Sequence, residues 1–293
     1  MRARLGVNET GAQRMSLAGL LRVSRLIGIV DIGANPIDGD PPYGPLLSAG
    51  LCKVTGFEPQ PSALAKLNAR KGALETYLPH AIGDGERHTL YVCRCTGMTS
   101  LLEPDPAALN LFPRFAELGQ IMERRDIATV RLDDIAELGA VDFLKIDAQG
   151  AELVVLKGGR SKLSGAVAVQ TEVSFVPLYK GQPSFGEIDM EMRAQGFLPH
   201  ATVSVNRRLL LPMRTDNPHA HINQMLEADI VYVRDIRHMQ DWSDTQLAHM
   251  AIIAHYCYRS FDLTIKCLSE MVGRGVASKD ILGAYSAELS AQS

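Results

Sequence analysis

The stretches IGIVDIGAN (Ile27 to Asn35) and KVTGFEPQ (Lys53 to Gln60) decide how this chain is read. Each opens as a short apolar run and closes on an acid, Asp31 in the first and Glu58 in the second. Two strands that each deliver a carboxylate at the C-terminal tip make the first half of a nucleotide-type binding fold. Gly33 lets backbone come close to a ligand where a Cβ would block it. Glu58, followed by Pro59, can accept hydrogen bonds from both hydroxyls of a ribose. On pattern alone, the alternative is an ordinary strand–turn unit carrying surface acids.

Toward the N-terminus, Leu17, Leu20 and Leu21 recur near helical spacing behind Ser16, a suitable N-cap. Residues 1–27 are therefore expected to form a helical lead-in. After the first strand, PIDGDPPYGP (36–45) is too rich in proline and glycine for helix. Pro61 sits in the first turn of a helix that Gly72 stops. Residues 74–82 read as a third strand and 88–95 as an exposed one. Residues 103–126 carry Leu109, Phe112, Phe115, Leu118 and Ile121 at helical intervals, so a helical insertion is expected over the top of the sheet.

Ile127 to Leu132 returns to strand character, and Val141 to Ile146 is a buried-strand pattern ending on Asp147. Ala166 to Val173 is another strand, with Glu172 near its end. Gly196 to Val205 and Asp229 to Val233 have no helix between them, so they are expected to pair antiparallel. Strands alternating with helices over 28–235 imply an α/β, doubly wound, mostly parallel sheet with helices on both faces. From Trp242 the character changes. Leu247, Met250, Ala251, Ala254 and Tyr258 suggest one helix running to about Met271, and Ser278 can cap another. Tyr256, Tyr258, Phe261 and Leu268 are too apolar for a solvated tail. The extension over 242–293 is expected to bury them against the core or in a homodimer.

The chain has 293 residues, 46% hydrophobic and 22% charged, enough for one large core. With 30 basic and 33 acidic residues the net charge is −3, which lacks the clustered basic excess of a nucleic-acid binder. No apolar run approaches the ~18 residues of a membrane span. Arginines 14, 22 and 25 break up any signal-peptide core, and the five cysteines follow no disulfide spacing. Reduced thiols and a cytoplasmic protein are expected. Cys93 and Cys95 share a strand face but have no further ligands nearby, so no metal is assigned.

Acids at three strand tips, Asp31, Glu58 and Asp147, converge, because open α/β sheets bind ligands outside the carboxyl ends of their strands. There is no GxGxxG after the first strand and no Walker lysine, so pyrophosphate and triphosphate ligands are disfavoured. A ligand with ribose hydroxyls and a cationic amino-acid end fits better, and S-adenosylmethionine has both.

The motifs DIGAN, GFEPQPSALAKL, HAIGDG, GMTSLL, VDFLKIDAQGAELVVLKGG and TEVSFVPLYKGQPSFGEI, in that order, resemble the FkbM-type S-adenosylmethionine-dependent methyltransferases. The resemblance spans about residues 28–205. It implies a seven-stranded, Rossmann-like class I methyltransferase core. By that resemblance Asp31, Gly33 and Asn35 line the methionine part of the cofactor, Glu58 and Pro59 the ribose, and Ala81, Ile82 and Asp84 the adenine. Asp147 would sit beside the transferring methyl group. Pro36 and Ile37 stand where the family has a hydrophobic residue and a glycine. Gln149 stands where a glutamate is common, on the substrate side.

Methyl transfer from a sulfonium is an in-line displacement, so catalysis is mainly alignment, with a base if the acceptor is a hydroxyl. Asp147 and Glu172 are the candidates, each as base or as positioning acid. Lys145, inside an apolar strand, is expected in a structural ion pair. Thr99, Ser100, Arg207 and His221 are candidates for substrate contacts. The resemblance implies O-methylation of a glycan or secondary metabolite. A non-catalytic cofactor-binding or assembly protein on the same fold is the alternative reading.

Overall fold

The computed structural model describes residues 16–21, 23–34, 39–217 and 220–290. Its strands are β1 (Ile27–Ile32), β2 (Cys52–Phe57), β3 (Glu75–Leu78), β4 (Ala81–Ile82), β5 (Arg87–Cys93), β6 (Ile121–Val130), β7 (Phe143–Ile146), β8 (Ala168–Ser174), β9 (Phe197–Arg208) and β10 (Gln224–Arg234). Seven of them form one sheet in the order β3-β2-β1-β7-β8-β10-β9. The pairs from β3 through β8 are parallel, while β10 runs antiparallel to both β8 and β9. The order reverses between β1 and β7, the switch point where such sheets open a crevice.

β1 and β7 are apolar nearly throughout because both faces of the sheet are covered. On one face, Val155 and Leu156 of helix Glu152–Gly158 and Ile188 and Met192 of helix Phe185–Ala194 pack against Val30, Leu144 and Val169. On the other, Leu247 and Ile252 of helix Asp244–Tyr258, Leu263 and Leu268 of helix Phe261–Gly273, and Tyr285 of helix Ile281–Ser290 share a core with Ile27, Val54, Phe143 and Val231. The C-terminal helices are thus the third layer of the sandwich. The lead-in contributes Leu17 and Leu21, from the short helix Leu17–Leu21, to the same core. No helix among the described residues is long and apolar enough to cross a membrane.

One buried acid ties this layer to the sheet. Asp142 accepts hydrogen bonds from Arg25 Nη2 at 2.8 Å and from the Gly28 N–H at 2.8 Å, and His249 Nδ1 lies 3.1 Å from it. Burial alone would raise the Asp142 carboxyl, but His249 and the Arg25 guanidinium beside it hold it well below the usual carboxylate range.

The fold departs from the sequence reading in places where local chemistry outweighs periodicity. The expected third strand over 74–82 divides at Pro79, which lacks a backbone N–H. Its first part joins the main sheet as β3, and its second pairs with β6 in a separate sheet of order β4-β6-β5. The helical insertion expected over 103–126 contains only the single-turn helices Pro106–Leu109 and Phe115–Leu118. From Ile121 the backbone is strand, paired antiparallel with β5. Leu109, Phe112 and Phe115 still form a small core of their own, with Tyr179 and Leu226. The single long C-terminal helix breaks at Arg259, which takes a left-handed conformation (φ 52°). There the Ser260 N–H reaches back to the Ala254 carbonyl at 2.8 Å, a helix-ending motif that glycine usually provides.

Candidate functional site

A cavity of about 650 Å³ opens above the C-terminal tips of β1, β2, β7 and β8, with the β9–β10 hairpin along one side and residues 95–101 across it. Its size suits a small-molecule ligand. Gly33, Glu58, Pro59, Ala81, Ile82, Thr99, Ser100, Asp147, Gln149 and Glu172 all line it. The cavity has two chemically distinct ends, joined where the tips of β1 and β7 meet.

The first end lies over β2 and β4. Glu58 is buried, and its Oε1 accepts a hydrogen bond from the Gln60 N–H at 2.8 Å. Among the described residues, no hydrogen bond reaches Oε2. Burial raises the Glu58 carboxyl above its ordinary value, against the backbone bond from Gln60. Phe57, His80, Ala81 and Ile82 give this end flat and apolar walls.

At the junction Gly33 is left-handed (φ 76°), and a Cβ there would lie 2.0 Å from the Asp147 carbonyl oxygen. Only glycine lets the two strand tips approach this closely. Asp31 lies beneath the junction and does not line the cavity. Tyr43 donates its hydroxyl to Asp31 Oδ2 at 2.6 Å, and Lys145 Nζ lies 3.4 Å from Oδ1 and 3.4 Å from the Gly33 carbonyl oxygen. Lys145 is therefore the ion-pair partner of Asp31. Burial would lower its ammonium, but the fields of Asp31 and Asp147 hold it above its ordinary value.

The second end is acidic. Asp147, directly after β7, receives a hydrogen bond on Oδ1 from Gln149 Nε2 at 2.7 Å. Glu172 on β8 faces Asp229 on β10 across the sheet, and Glu227 pairs with Ser174 in the same ladder. Ser204 donates to Asp229 Oδ2 at 2.7 Å, and Asn206 donates to Glu227 Oε1 at 2.9 Å. Burial, then the fields of Glu227 and Asp147, push the Glu172 carboxyl well above the usual range. Among the described residues, Asp147, Glu152 and Glu172 each bring a carboxylate oxygen within 4.8 Å of the others, a spacing that a hard divalent cation could bridge.

Several expected site residues lie elsewhere. Asp84 accepts from the Glu86 N–H at 3.0 Å and lies 2.7 Å from His88 Nε2, so it closes its own turn outside the cavity. Arg207 also lies outside. Residues 206–208, beyond the expected end of the strand at Val205, continue β9, whose side chains alternate, and it is Arg208 that lines the cavity. His221 is exposed between β9 and β10 and away from the cavity. Ser100 Oγ donates to the Gln149 carbonyl at 2.5 Å and accepts from the Leu102 N–H at 3.0 Å, so its hydroxyl is engaged by protein. Asn35, with Pro36 and Ile37, lies outside the described residues. The sequence reading did not find Ser204, Asn206, Glu227 or Asp229. Alternation of polar residues along 202–208 was the available signal.

Glu152 supports the turn after Asp147. It is fully inside the protein, and its Oε1 accepts from the Ala148 N–H at 2.9 Å and the Gly150 N–H at 3.1 Å. Burial, with the field of Asp147 acting the same way, raises its carboxyl to about 7 despite those bonds. The folded state therefore holds a proton that the unfolded chain loses near pH ~4.3, and stability falls as pH rises from about 4 to about 7. Glu152→Gln keeps an acceptor for both N–H groups and has no proton to lose. Its urea midpoint should match wild type near pH ~4 and exceed it near pH ~8. Parallel pH dependences for the two proteins would show that Glu152 ionises as it does in the unfolded chain.

The methyltransferase FkbM domain matches residues 31–199 of the chain. Among solved structures, a methyltransferase FkbM from Methylobacillus flagellatus KT is 14% identical, with 74% of this chain and 50% of that one covered at a TM-score of 0.38. Magnesium protoporphyrin IX methyltransferase from Synechocystis PCC 6803 with bound SAM is 11% identical, covering 75% and 76% at a TM-score of 0.37. A precorrin-6y C5,15-methyltransferase from Geobacter metallireducens GS-15 is 10% identical, covering 74% and 85% at 0.37. Superpositions this loose carry no argument about the site. No curated protein sequence matches the chain.

Proposed function

The chain belongs to the methyltransferase FkbM domain family, and on that premise we propose that it methylates a hydroxyl of a glycan or small metabolite using S-adenosylmethionine. The cavity's donor set fits that cofactor. Glu58 offers an unengaged carboxylate oxygen for ribose hydroxyls beside the apolar walls of Ala81 and Ile82. Gly33, which lines the cavity at the junction, lets the tips of β1 and β7 come together between the cavity's two ends. When bound there, the cofactor supplies an electrophilic methyl group.

The observation that carries the reading is the position of Asp147 at the junction, with one carboxylate oxygen held by Gln149. Asp147 is the base that receives the acceptor's hydroxyl proton as the hydroxyl oxygen takes the methyl group. Glu172 has the opposite role. Burial and neighbouring acids push its carboxyl well above the usual range, which favours the protonated form, able to donate a hydrogen bond that aligns the acceptor. Ser174, Ser204, Asn206 and Arg208 complete a polar end suited to a polyhydroxyl compound. Residues 95–101 line the cavity beside the junction.

The test incubates the protein with S-adenosylmethionine labelled on its methyl group and with glycan and metabolite extracts. Wild type should label an acceptor. Glu172→Gln, which still donates, should stay within roughly fivefold of wild type, whereas loss of a general base costs about 100-fold or more. A 100-fold loss in Glu172→Gln would make Glu172 the base. Absence of label in every extract, despite cofactor binding, would favour a cofactor-sensing or assembly role.

A further inference from the structure

Gln149 holds a conformation that needs a reason. It is one of three non-glycine residues with positive φ among those described (48°), in the left-handed region that L-residues other than glycine seldom adopt. The turn is fixed around it from all sides. Glu152 takes the N–H groups on either side of it, at Ala148 and Gly150, and Ser100 takes its carbonyl. The result is that the side chain turns back on Asp147, two residues earlier.

An ionised carboxylate accepts hydrogen bonds and donates none, so the amide must present its NH₂ to Asp147 Oδ1, which lies 2.7 Å away. The amide oxygen then faces Tyr179, whose hydroxyl lies 3.4 Å from it and 3.2 Å from the Met98 carbonyl oxygen. Tyr179 is buried and its ring walls the cavity. A carboxylate on a short side chain rotates freely unless one oxygen is tied. Gln149 supplies a hydrogen bond that ties the Asp147 side chain.

We propose that Gln149 is a positioning residue that aims Asp147, engaging Oδ1 so that Oδ2 faces the acceptor, with Tyr179 setting the direction of the amide. This deepens the assignment of Asp147 as base and rests on it. It removes Gln149 from the substrate contacts the sequence suggested. It also links the aim of the base to the segment over the cavity, since Ser100 and Met98 both belong to that segment.

The first test needs no acceptor. In a ¹⁵N–¹H spectrum of the full chain, the side-chain NH₂ of Gln149 is identified by its disappearance in Gln149→Leu. It should shift as pH is lowered in wild type, and that movement should vanish in Asp147→Asn. An NH₂ signal with the same pH response in both proteins would overturn the proposal, whatever the protein methylates.

The second test uses the labelled-methyl assay. Gln149→Leu should lower kcat by roughly tenfold or more, with KM for the cofactor within about twofold, because misalignment harms the chemical step more than binding. Gln149→Glu should add a second ionisation to the kcat–pH profile, since two adjacent carboxylates share a proton. A residue that only packs would leave kcat and the profile unchanged in a folded Gln149→Glu protein. If wild type transfers no methyl group, the functional reading fails, and the spectrum still decides the contact.

Discussion

Asp147→Asn should reduce methyl transfer by roughly 100-fold or more, the scale on which general-base catalysis is lost. The substitution keeps the shape and the acceptor oxygen that Gln149 engages, and it removes charge and basicity. Cofactor affinity should change much less, because the end of the cavity proposed to hold the nucleoside lies over β2 and β4 rather than at the β7 tip. Labelled product from wild type and almost none from the variant supports Asp147 as base. Equal product from both would remove Asp147 from the mechanism and leave proximity within the cavity to explain the rate.

Glu58→Ala should weaken S-adenosylmethionine binding by about 100-fold. A hydrogen bond to a charged group contributes roughly 1.5–3 kcal/mol, and in the proposed binding mode the free Glu58 oxygen accepts from the ribose. The empty variant should fold normally, since Glu58 is a buried acid whose carboxyl is already raised by that burial. Loss of affinity without loss of melting temperature separates a binding role from a structural one. The sign of the pH dependence follows. Protonating Glu58 removes a charged acceptor, so affinity falls on acidification, starting at higher pH than an ordinary glutamate would give. An affinity that is flat across that range would assign the ribose to other groups.

The parts of the site that were legible in the sequence sit at the ends of parallel strands. Asp31, Glu58 and Asp147 each close an apolar run, and strand direction fixes where such residues converge. The distinction between them was not legible. Asp31 looks equivalent to Glu58 in the sequence, but Tyr43 and Lys145, both later in the chain, enclose it. The acids of the second end were hidden for another reason. β9 and β10 continue well beyond the expected strands, and their register shifts between Met225 and Glu227 and between Asp229 and Ile230. A bulge moves subsequent side chains to the other face, so simple alternation does not tell which acids face the cavity. In the insertion, the helical spacing of Leu109, Phe112 and Phe115 was real, yet pairing with β5 takes Ile121 onward as strand. Gln149 carries no sequence signal for positive φ, because its conformation is imposed by Glu152 and Ser100.

Titration of S-adenosylmethionine into the wild-type protein by calorimetry tests the central claim most directly, with NAD as the control ligand. Micromolar binding, about −8 kcal/mol, is expected for S-adenosylmethionine or its demethylated product, together with a weaker Glu58→Ala isotherm. No heat from either of those ligands, with saturable binding of NAD, would contradict the assignment of this cavity to a methyl donor.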